Sequence, residues 1–108
     1  MISINTFYAY GKEKPITGES SVIFNNSAET LTMQVDELAG SLELYGTADF
    51  DSDIFYKLTG NNLSFELVNE ITTDGIYHFS IEGVAKIKLE AENTNKDLIV
   101  FCRMTKGV

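Results

Sequence analysis

The amino-acid sequence predicts an all-β protein, an antiparallel sandwich or barrel of about eight or nine short strands. Apolar and polar residues alternate along most of the chain, and polar or glycine-containing turns separate the alternating runs at regular intervals. No segment has a convincing helical period. The 108 residues predict one domain, residues 1–108, which is long enough to bury a core without disulfides.

The clearest strands lie between residues 75 and 92, where a turn at Glu82-Gly83 joins two alternating runs. Side chains on a strand point alternately to its two faces. One face is apolar on both strands and consists of Tyr77, Phe79, Ile81, Ala85, Ile87, Leu89 and Ala91. The other face of the second strand is charged and consists of Lys86, Lys88, Glu90 and Glu92. We expect the apolar faces to pack on the core and the charged face to stay in water.

Further strands are predicted on both sides of this pair. In chain order they are Ile2–Tyr10 (a first strand or an arm), 20–25, 29–37, Ser41–Thr47, 54–59, 63–71 and 98–105. The apolar residues that alternation places on one face of their strand are Leu31, Met33 and Val35, then Leu42 and Leu44, then Leu63, Phe65 and Leu67, and finally Leu98, Val100, Cys102 and Met104. The predicted turns lie at 11–18, 25–26, 40, 60–62, 72–75 and 92–97. A helix capped at Ser27 is the alternative for residues 29–37, but the β-branched Thr30 and Thr32 favour a strand.

The charge of the chain argues against several classes of partner. The 16 acidic residues outnumber the 8 basic ones, giving a net charge of −8, and the acids are spread along the chain. Nucleic acids and anionic membrane surfaces are disfavoured, because no basic patch could neutralise several phosphates. The charge favours solubility, a basic partner or a cation. No apolar run approaches the ~18 residues that a membrane-spanning helix needs.

Residues that could carry out a reaction are scarce. The single cysteine, Cys102, lies in an apolar run and is expected to be a small core residue. The single histidine, His78, has no nucleophile or orienting carboxylate at an informative spacing. We therefore predict no catalytic residue and no enzyme activity.

The metal-site candidate is the acidic loop with Asp49, Asp51 and Asp53. Alternate carboxylates in a loop could offer several oxygen ligands to calcium, a hard cation that prefers them. The loop lacks the glycine and the distant glutamate of an EF-hand. The alternative is a solvated acidic turn between two strands.

The aromatic residues have two interpretations. The chain has twelve Phe and Tyr residues and no Trp, and a sugar-stacking platform would come from Tyr8, Tyr10, Tyr45, Tyr56 and Tyr77. The favoured interpretation is that most aromatics fill the core and some line a protein interface. Phe7, Tyr8 and Tyr10 are the interface candidates, because the first strand can pair with its own sheet edge or exchange with a neighbouring subunit.

The segment from about residue 41 to residue 103 resembles small β-sandwich proteins and modules of tailed-phage virions. The residues that carry the resemblance are SLELYG at 41–46, the acidic loop at 49–53, GIYHFSIEG at 75–83, the alternating strand at 84–91 and LIVFCR at 98–103. Phe55-Tyr56 stand where the family has a tryptophan after the acidic loop. The resemblance implies a jelly-roll-like fold in a capsid, head-fibre, tail or baseplate protein, and it transfers no catalytic residue.

We therefore expect a non-enzymatic virion structural protein that contacts other copies of itself or other virion proteins and has no cofactor besides the calcium considered above. It would be assembled in the host cytoplasm, since the first 14 residues lack the basic leader and apolar core of a signal peptide. The alternative is a carbohydrate- or receptor-binding β-sandwich module that uses surface tyrosines and calcium.

Overall fold

Two antiparallel sheets make up the computed structural model, which describes residues 2–11, 20–94 and 97–107. The strands are β1 Ile2–Tyr10, β2 Ser20–Phe24, β3 Thr30–Asp36, β4 Ser41–Thr47, β5 Tyr56–Lys57, β6 Gly60–Asn62, β7 Leu67–Val68, β8 Gly75–Ser80, β9 Lys86–Glu92 and β10 Ile99–Lys106. The described residues form no helix, and therefore they include no membrane-spanning helix. Most of the predicted 11–18 loop and part of the 92–97 turn lie outside the described residues.

The order of the strands is that of a jelly roll. One sheet has the order β1-β10-β3-β8-β6-β7 and the other has the order β2-β9-β4-β5. Four pairings are nested along the chain, β1 with β10, β2 with β9, β3 with β8 and β4 with β5, and they fall in alternate sheets in chain order. This wrapping of eight strands confirms the predicted sandwich. The short strands β6 and β7 are an addition that widens the first sheet beyond β8.

The core lies between the inward faces that the alternation predicted. Leu31, Met33 and Val35 of β3 have no solvent exposure, so residues 30–36 form a strand and not a helix. Both sheets contribute to one buried cluster, whose other large members are Tyr10, Ile23, Leu42, Leu44, Ile71, Tyr77, Phe79, Ile81, Ile87, Leu89, Leu98, Val100 and Met104. Cys102 is a free, fully buried thiol within it, as predicted.

The strands on either side of the Glu82-Gly83 turn belong to different sheets, although the sequence presented them as one pair. The Ile81 N–H donates to the Glu29 carbonyl (2.9 Å), while the Ala85 N–H donates to the Thr47 carbonyl (2.8 Å). The chain therefore crosses the sandwich between these two residues. Both strands keep their predicted inward faces, because each sheet turns its apolar side to the same core.

Residues 60–71 form a different hairpin from the one predicted. Gly60-Asn61-Asn62 is a strand and not a turn, and only Leu67–Val68 of the predicted 63–71 strand is extended in the sheet. Gly60 lies so close to β8 that a Cβ there would be 2.6 Å from the His78 carbonyl oxygen and from the Phe79 ring. The turn follows Asn62, whose side-chain oxygen accepts from the N–H groups of Ser64 (2.9 Å) and Glu66 (3.0 Å).

A buried asparagine joins the two corners where the chain changes sheets. Asn25 is 6% exposed, and its side-chain nitrogen donates to the carbonyls of Ala28 (3.1 Å), Ile81 (3.2 Å) and Val84 (2.8 Å). Its side-chain oxygen accepts from the Ala28 N–H at 2.9 Å. One amide thus connects the β2–β3 corner with the β8–β9 corner and satisfies buried backbone groups in both.

Replacing this amide should destabilise the whole fold. Asn25→Ala leaves buried carbonyls and an N–H group without their partner, so we expect the free energy of unfolding to fall by roughly 3 kcal/mol. Urea unfolding followed by circular dichroism measures the change. Asn26→Ala is the matched control, because Asn26 is the exposed neighbour; it should shift stability by no more than about 0.5 kcal/mol. Equal effects of the two substitutions would contradict the role of Asn25.

Candidate protein-contact surfaces

The first strand is an open edge of the six-stranded sheet. β1 pairs with β10 on one side, and no described strand pairs with its other side. Ile2 and Ile4 are 53% and 38% exposed along this edge. A long edge strand presents unpaired N–H and C=O groups, which makes it a template for pairing with another chain.

Two β-bulges in β1 decide where its aromatic side chains point. The register skips Ile4 and Ala9, so that Tyr8 pairs with Phe101 and Tyr10 with the adjacent Val100. A bulge inserts one residue and reverses the side-chain alternation beyond it. Tyr8 therefore lies on the outer face, and Tyr10 turns into the core at 3% exposure.

This placement corrects part of the predicted interface. Tyr10 is a core residue and offers no surface to a partner, because the bulge at Ala9 separates it from the face of Tyr8. Phe7 is half-buried and packs against the core. Of the three candidates, Tyr8 is the one on the outer face of the sheet, where its ring meets the edge of Phe101 with centroids 5.1 Å apart.

Tyr8 lines a shallow groove beside the β1 edge. The groove has a volume of about 390 Å³ and is also lined by Gln34, Asp36, Ile99 and Phe101. Three of its five side chains are large and apolar or aromatic. The groove and the open edge are adjacent, so one partner could contact both.

The opposite edge of the same sheet carries three exposed apolar side chains, two of which are the most exposed among the large apolar residues that the structure describes. Leu63, Phe65 and Leu67 are 60%, 87% and 77% exposed, and we call these three residues the β6–β7 knob. Phe65 has a positive φ of 62°, which the turn after Asn62 imposes. These residues were predicted to lie on one face of a strand. The signal for a turn capped by a side chain was Asn62, two positions before Ser64.

The loop at residues 48–55 covers part of the outer face of the four-stranded sheet. Lys86 was predicted to lie in water but is 8% exposed, because its ammonium donates to the Ser52 carbonyl (2.8 Å) beneath this loop. The Phe55 ring lies over both lysines, with its centroid 5.5 Å from the Lys86 nitrogen and 4.9 Å from the Lys88 nitrogen. These cation–π contacts anchor the loop to β9.

An ion pair stands on the same face next to the loop. Lys57 lies 2.6 Å from the Glu43 carboxylate, which also accepts a hydrogen bond from the Tyr45 hydroxyl at 2.9 Å. The hydrogen bond from Lys57, and then that from Tyr45, lower the pKa of Glu43. Exposed pairs of this kind contribute little to stability, so the group mainly orders the surface between β4 and β5.

The three aspartates of the acidic loop do not converge. The Asp49 carboxylate accepts from the Asp51 N–H at 2.9 Å, and all three residues are exposed. Among residues 2–11, 20–94 and 97–107 no group of three or more Asp, Glu, His or Cys side chains could hold a metal ion. The arrangement is that of an acidic turn capped by its own first residue.

Calorimetry can test whether Asp49, Asp51 and Asp53 bind calcium, as the sequence predicted. Bringing the carboxylates together would oppose the hydrogen bond that the Asp49 side chain makes and would place like charges side by side. We therefore expect no saturable heat when the protein is titrated with calcium up to millimolar concentration. A saturable heat that disappears in Asp51→Asn would show that the loop rearranges around the ion.

The single histidine and the single cysteine are kept apart by the six-stranded sheet. His78 lies on the outer face, where its Nδ1 is 2.9 Å from the Thr32 hydroxyl. Cys102 lies on the inner face and is fully buried. The sheet between them prevents the two side chains from acting as a nucleophile and its base.

Comparison with known proteins identifies a shared fold. No protein-family model matches the sequence, and no curated protein matches it. The structure is similar to the crystal structure of the SPBc2 prophage-derived protein YomS, with a TM-score of 0.76 and 18% sequence identity. The similarity covers 96% of this chain and 95% of that one. At this identity the two proteins share the fold over nearly their whole lengths.

The buried hydroxyl of Tyr10 should make the free energy of unfolding fall at alkaline pH. Burial, and then the charge of Glu90, raise the pKa of Tyr10 to about 12 from the model-compound value of 10.0. The folded protein therefore keeps the phenolic proton where the unfolded chain loses it, and the stabilisation is complete below pH 10 and lost as pH rises through 12. The loss is about 3 kcal/mol.

Urea unfolding at several alkaline pH values tests this dependence. The wild type should lose stability more steeply than Tyr10→Phe above about pH 10, since the phenylalanine has no proton to lose. Parallel curves for the two proteins would show that Tyr10 is not the group responsible.

Proposed function

We propose that this protein is a non-enzymatic structural protein of a phage particle, and that it assembles head-to-tail through the two edges of its six-stranded sheet. The observation that carries the proposal is that one sheet has an open apolar edge at each end, β1 at one and the β6–β7 knob at the other. The shared fold with a prophage-derived protein supports the phage origin.

The two edges differ, which determines the kind of assembly. A contact between unlike surfaces is heterologous, and it produces a closed ring or an open filament depending on the rotation from one copy to the next. In the proposed contact, the knob of one copy enters the groove of Tyr8, Ile99 and Phe101 on the next. The backbone of β7 then lies next to the open edge of β1, extending the sheet across the contact.

The free energy of association is expected to come from both the apolar knob and the backbone pairing along β1. Fully burying a leucine or phenylalanine side chain contributes roughly 1.5–3 kcal/mol. At their observed exposures the three knob residues contribute roughly 3–7 kcal/mol, whereas association costs about 4–15 kcal/mol. The knob alone offsets that cost only where the cost lies near the low end of its range, so we expect backbone pairing along β1 to add to it.

The charge of the protein adds a salt dependence. Each copy carries a net charge of −8, so copies repel one another in dilute buffer. Salt screens this repulsion but leaves apolar burial and backbone pairing largely intact. Assembly should therefore become stronger as the salt concentration rises.

Mixing two defective variants distinguishes a head-to-tail contact from a symmetric one. Ile2→Lys/Ile4→Lys damages the β1 edge, and Phe65→Lys/Leu67→Lys damages the knob. Each variant alone should be monomeric in light scattering, because each retains only one half of the contact. Their mixture should form a dimer and stop there, since one intact β1 edge meets one intact knob.

The control adds the same charge elsewhere. Val22→Lys/Phe24→Lys replaces two exposed apolar residues of the four-stranded sheet and should assemble like the wild type. A wild-type protein that stays monomeric at high salt and high concentration would refute self-assembly. A knob variant that dimerises on its own would replace the head-to-tail contact with a symmetric pairing of β1 edges.

The alternative function, carbohydrate or receptor binding through tyrosines, has less support, because the five candidate tyrosines do not all share one surface. Tyr10 and Tyr77 are 3% and 5% exposed, Tyr8 lies on the six-stranded sheet, and Tyr45 and Tyr56 lie on the other. A sugar-binding surface needs its rings side by side. A glycan array tests this alternative, and a pure assembly protein should give no saturable signal.

A further inference from the structure

Two phenylalanines from distant parts of the chain form an exposed stacked pair on the four-stranded sheet. The rings of Phe24 and Phe50 have centroids 6.3 Å apart and planes 19° apart. Phe24 is 65% exposed on the edge strand β2, and Phe50 is 56% exposed in the loop at residues 48–55. This aromatic pair lies on the sheet that the proposed assembly contact leaves free.

The loop that carries Phe50 is held in place by β9. Lys86 donates to the Ser52 carbonyl at 2.8 Å and lies beneath the Phe55 ring. Inside the loop, the Ile54 N–H donates to the Ser52 hydroxyl at 3.0 Å. Phe50 is therefore positioned against Phe24 before any partner arrives, which lowers the entropy lost on binding.

The accessible charge around the aromatic pair is predominantly negative. Asp49 and Asp51 flank Phe50 in the chain and are exposed. Beside Phe50 lies a hollow of about 350 Å³ whose charged lining residues are Glu29, Glu82 and Lys106. Of the two lysines that contact Phe55, Lys86 is buried under the loop and Lys88 is paired with Glu90 at 3.2 Å. The exposed Lys106 is the one cation of the hollow, and the carboxylates of Asp49, Asp51, Glu29 and Glu82 outnumber it.

We propose that the Phe24–Phe50 pair docks an arginine-bearing segment of a partner protein. A guanidinium is planar and weakly hydrated, so it stacks on a phenylalanine ring while its N–H groups bond a carboxylate in bidentate fashion. The ring faces supply the first interaction and the carboxylates of Asp49, Asp51 and Glu82 supply the second. A lysine ammonium is a strongly hydrated point charge and fits this combination less well.

This site is independent of the proposed self-assembly, because the two use different sheets. A monomeric protein could still bind an arginine segment, and a protein that binds no such segment could still assemble. The knob variant Phe65→Lys/Leu67→Lys should therefore retain its affinity for an arginine peptide. The two proposals can fail separately.

The test uses a fluorescein-labelled peptide of Gly-Arg repeats, with Gly-Lys and Gly-citrulline versions of the same length. Fluorescence anisotropy is measured at about 50 mM and about 500 mM salt, because diffuse charge attraction is screened at the higher concentration. We expect the arginine peptide to bind more tightly than the lysine peptide at both concentrations. The neutral citrulline peptide should not bind.

The variants locate the site. Phe24→Ser/Phe50→Ser should weaken arginine-peptide binding by about tenfold, from the loss of two cation–π contacts. Phe65→Ser is the matched control, since it removes the most exposed phenylalanine of the described residues from the other sheet and should leave affinity unchanged.

A second pair of variants tests the role of Lys86 as a positioning residue. Lys86→Met keeps the aliphatic stem but removes the donor to Ser52, so the loop loosens and affinity should fall severalfold. Lys57→Met also removes one positive charge from the same sheet, but Lys57 bonds Glu43 and not the loop, so affinity should not fall. A purely electrostatic effect would strengthen binding in both variants, so it cannot account for a fall in affinity.

Four outcomes would contradict the proposal or one part of it. Equal binding of the arginine and lysine peptides, or unchanged binding in Phe24→Ser/Phe50→Ser, would mean diffuse attraction to an acidic protein. Equal affinities of Lys86→Met and Lys57→Met would remove the role of the loop anchor. A glycan that binds saturably and is lost in Phe24→Ser/Phe50→Ser would make the pair a sugar platform instead.

Discussion

The side-chain amide of Asn25 is the contact on which the wrapping of the chain depends. A jelly roll requires the chain to cross between sheets repeatedly, and each crossing leaves backbone groups that no strand can pair. Asn25 satisfies such groups at two crossings at once, through its bonds to Ala28, Ile81 and Val84. Because β2 and β9 are neighbours in one sheet, fixing these corners also fixes where the two sheets meet.

Each proposed contact pairs a residue set on the eight wrapped strands with a segment outside them, the β6–β7 hairpin in one case and the loop at residues 48–55 in the other. The β6–β7 hairpin is attached to β8 through the close approach of Gly60, and the loop at residues 48–55 is attached to β9 through Lys86. Each segment places apolar side chains in solvent on a rigid support. The hairpin belongs to one sheet and the loop to the other, so a partner segment could bind within an assembled ring.

Surface features were predicted where neighbouring residues determine them and missed where residues far apart in the chain do. The acidic loop was located from local sequence, since turn residues act on their own backbone. The burial of Tyr10 was not predicted, because the bulge at Ala9 depends on pairing with β10, about ninety positions further along the chain. The burial of Lys86 and the Phe24–Phe50 stack were missed for the same reason, since each joins segments that are far apart in sequence.

Alternation by itself determined that the protein is all-β and which residues of β3, β4, β8, β9 and β10 face the core. This local pattern suffices because a strand with one apolar face must bury it, whichever sheet receives the strand. Only the tertiary structure decided that β8 and β9 lie in opposite sheets, that residues 60–68 form an exposed hairpin and that Lys86 is covered. Those outcomes depend on hydrogen bonds and close contacts between residues distant in the chain, which no local pattern records.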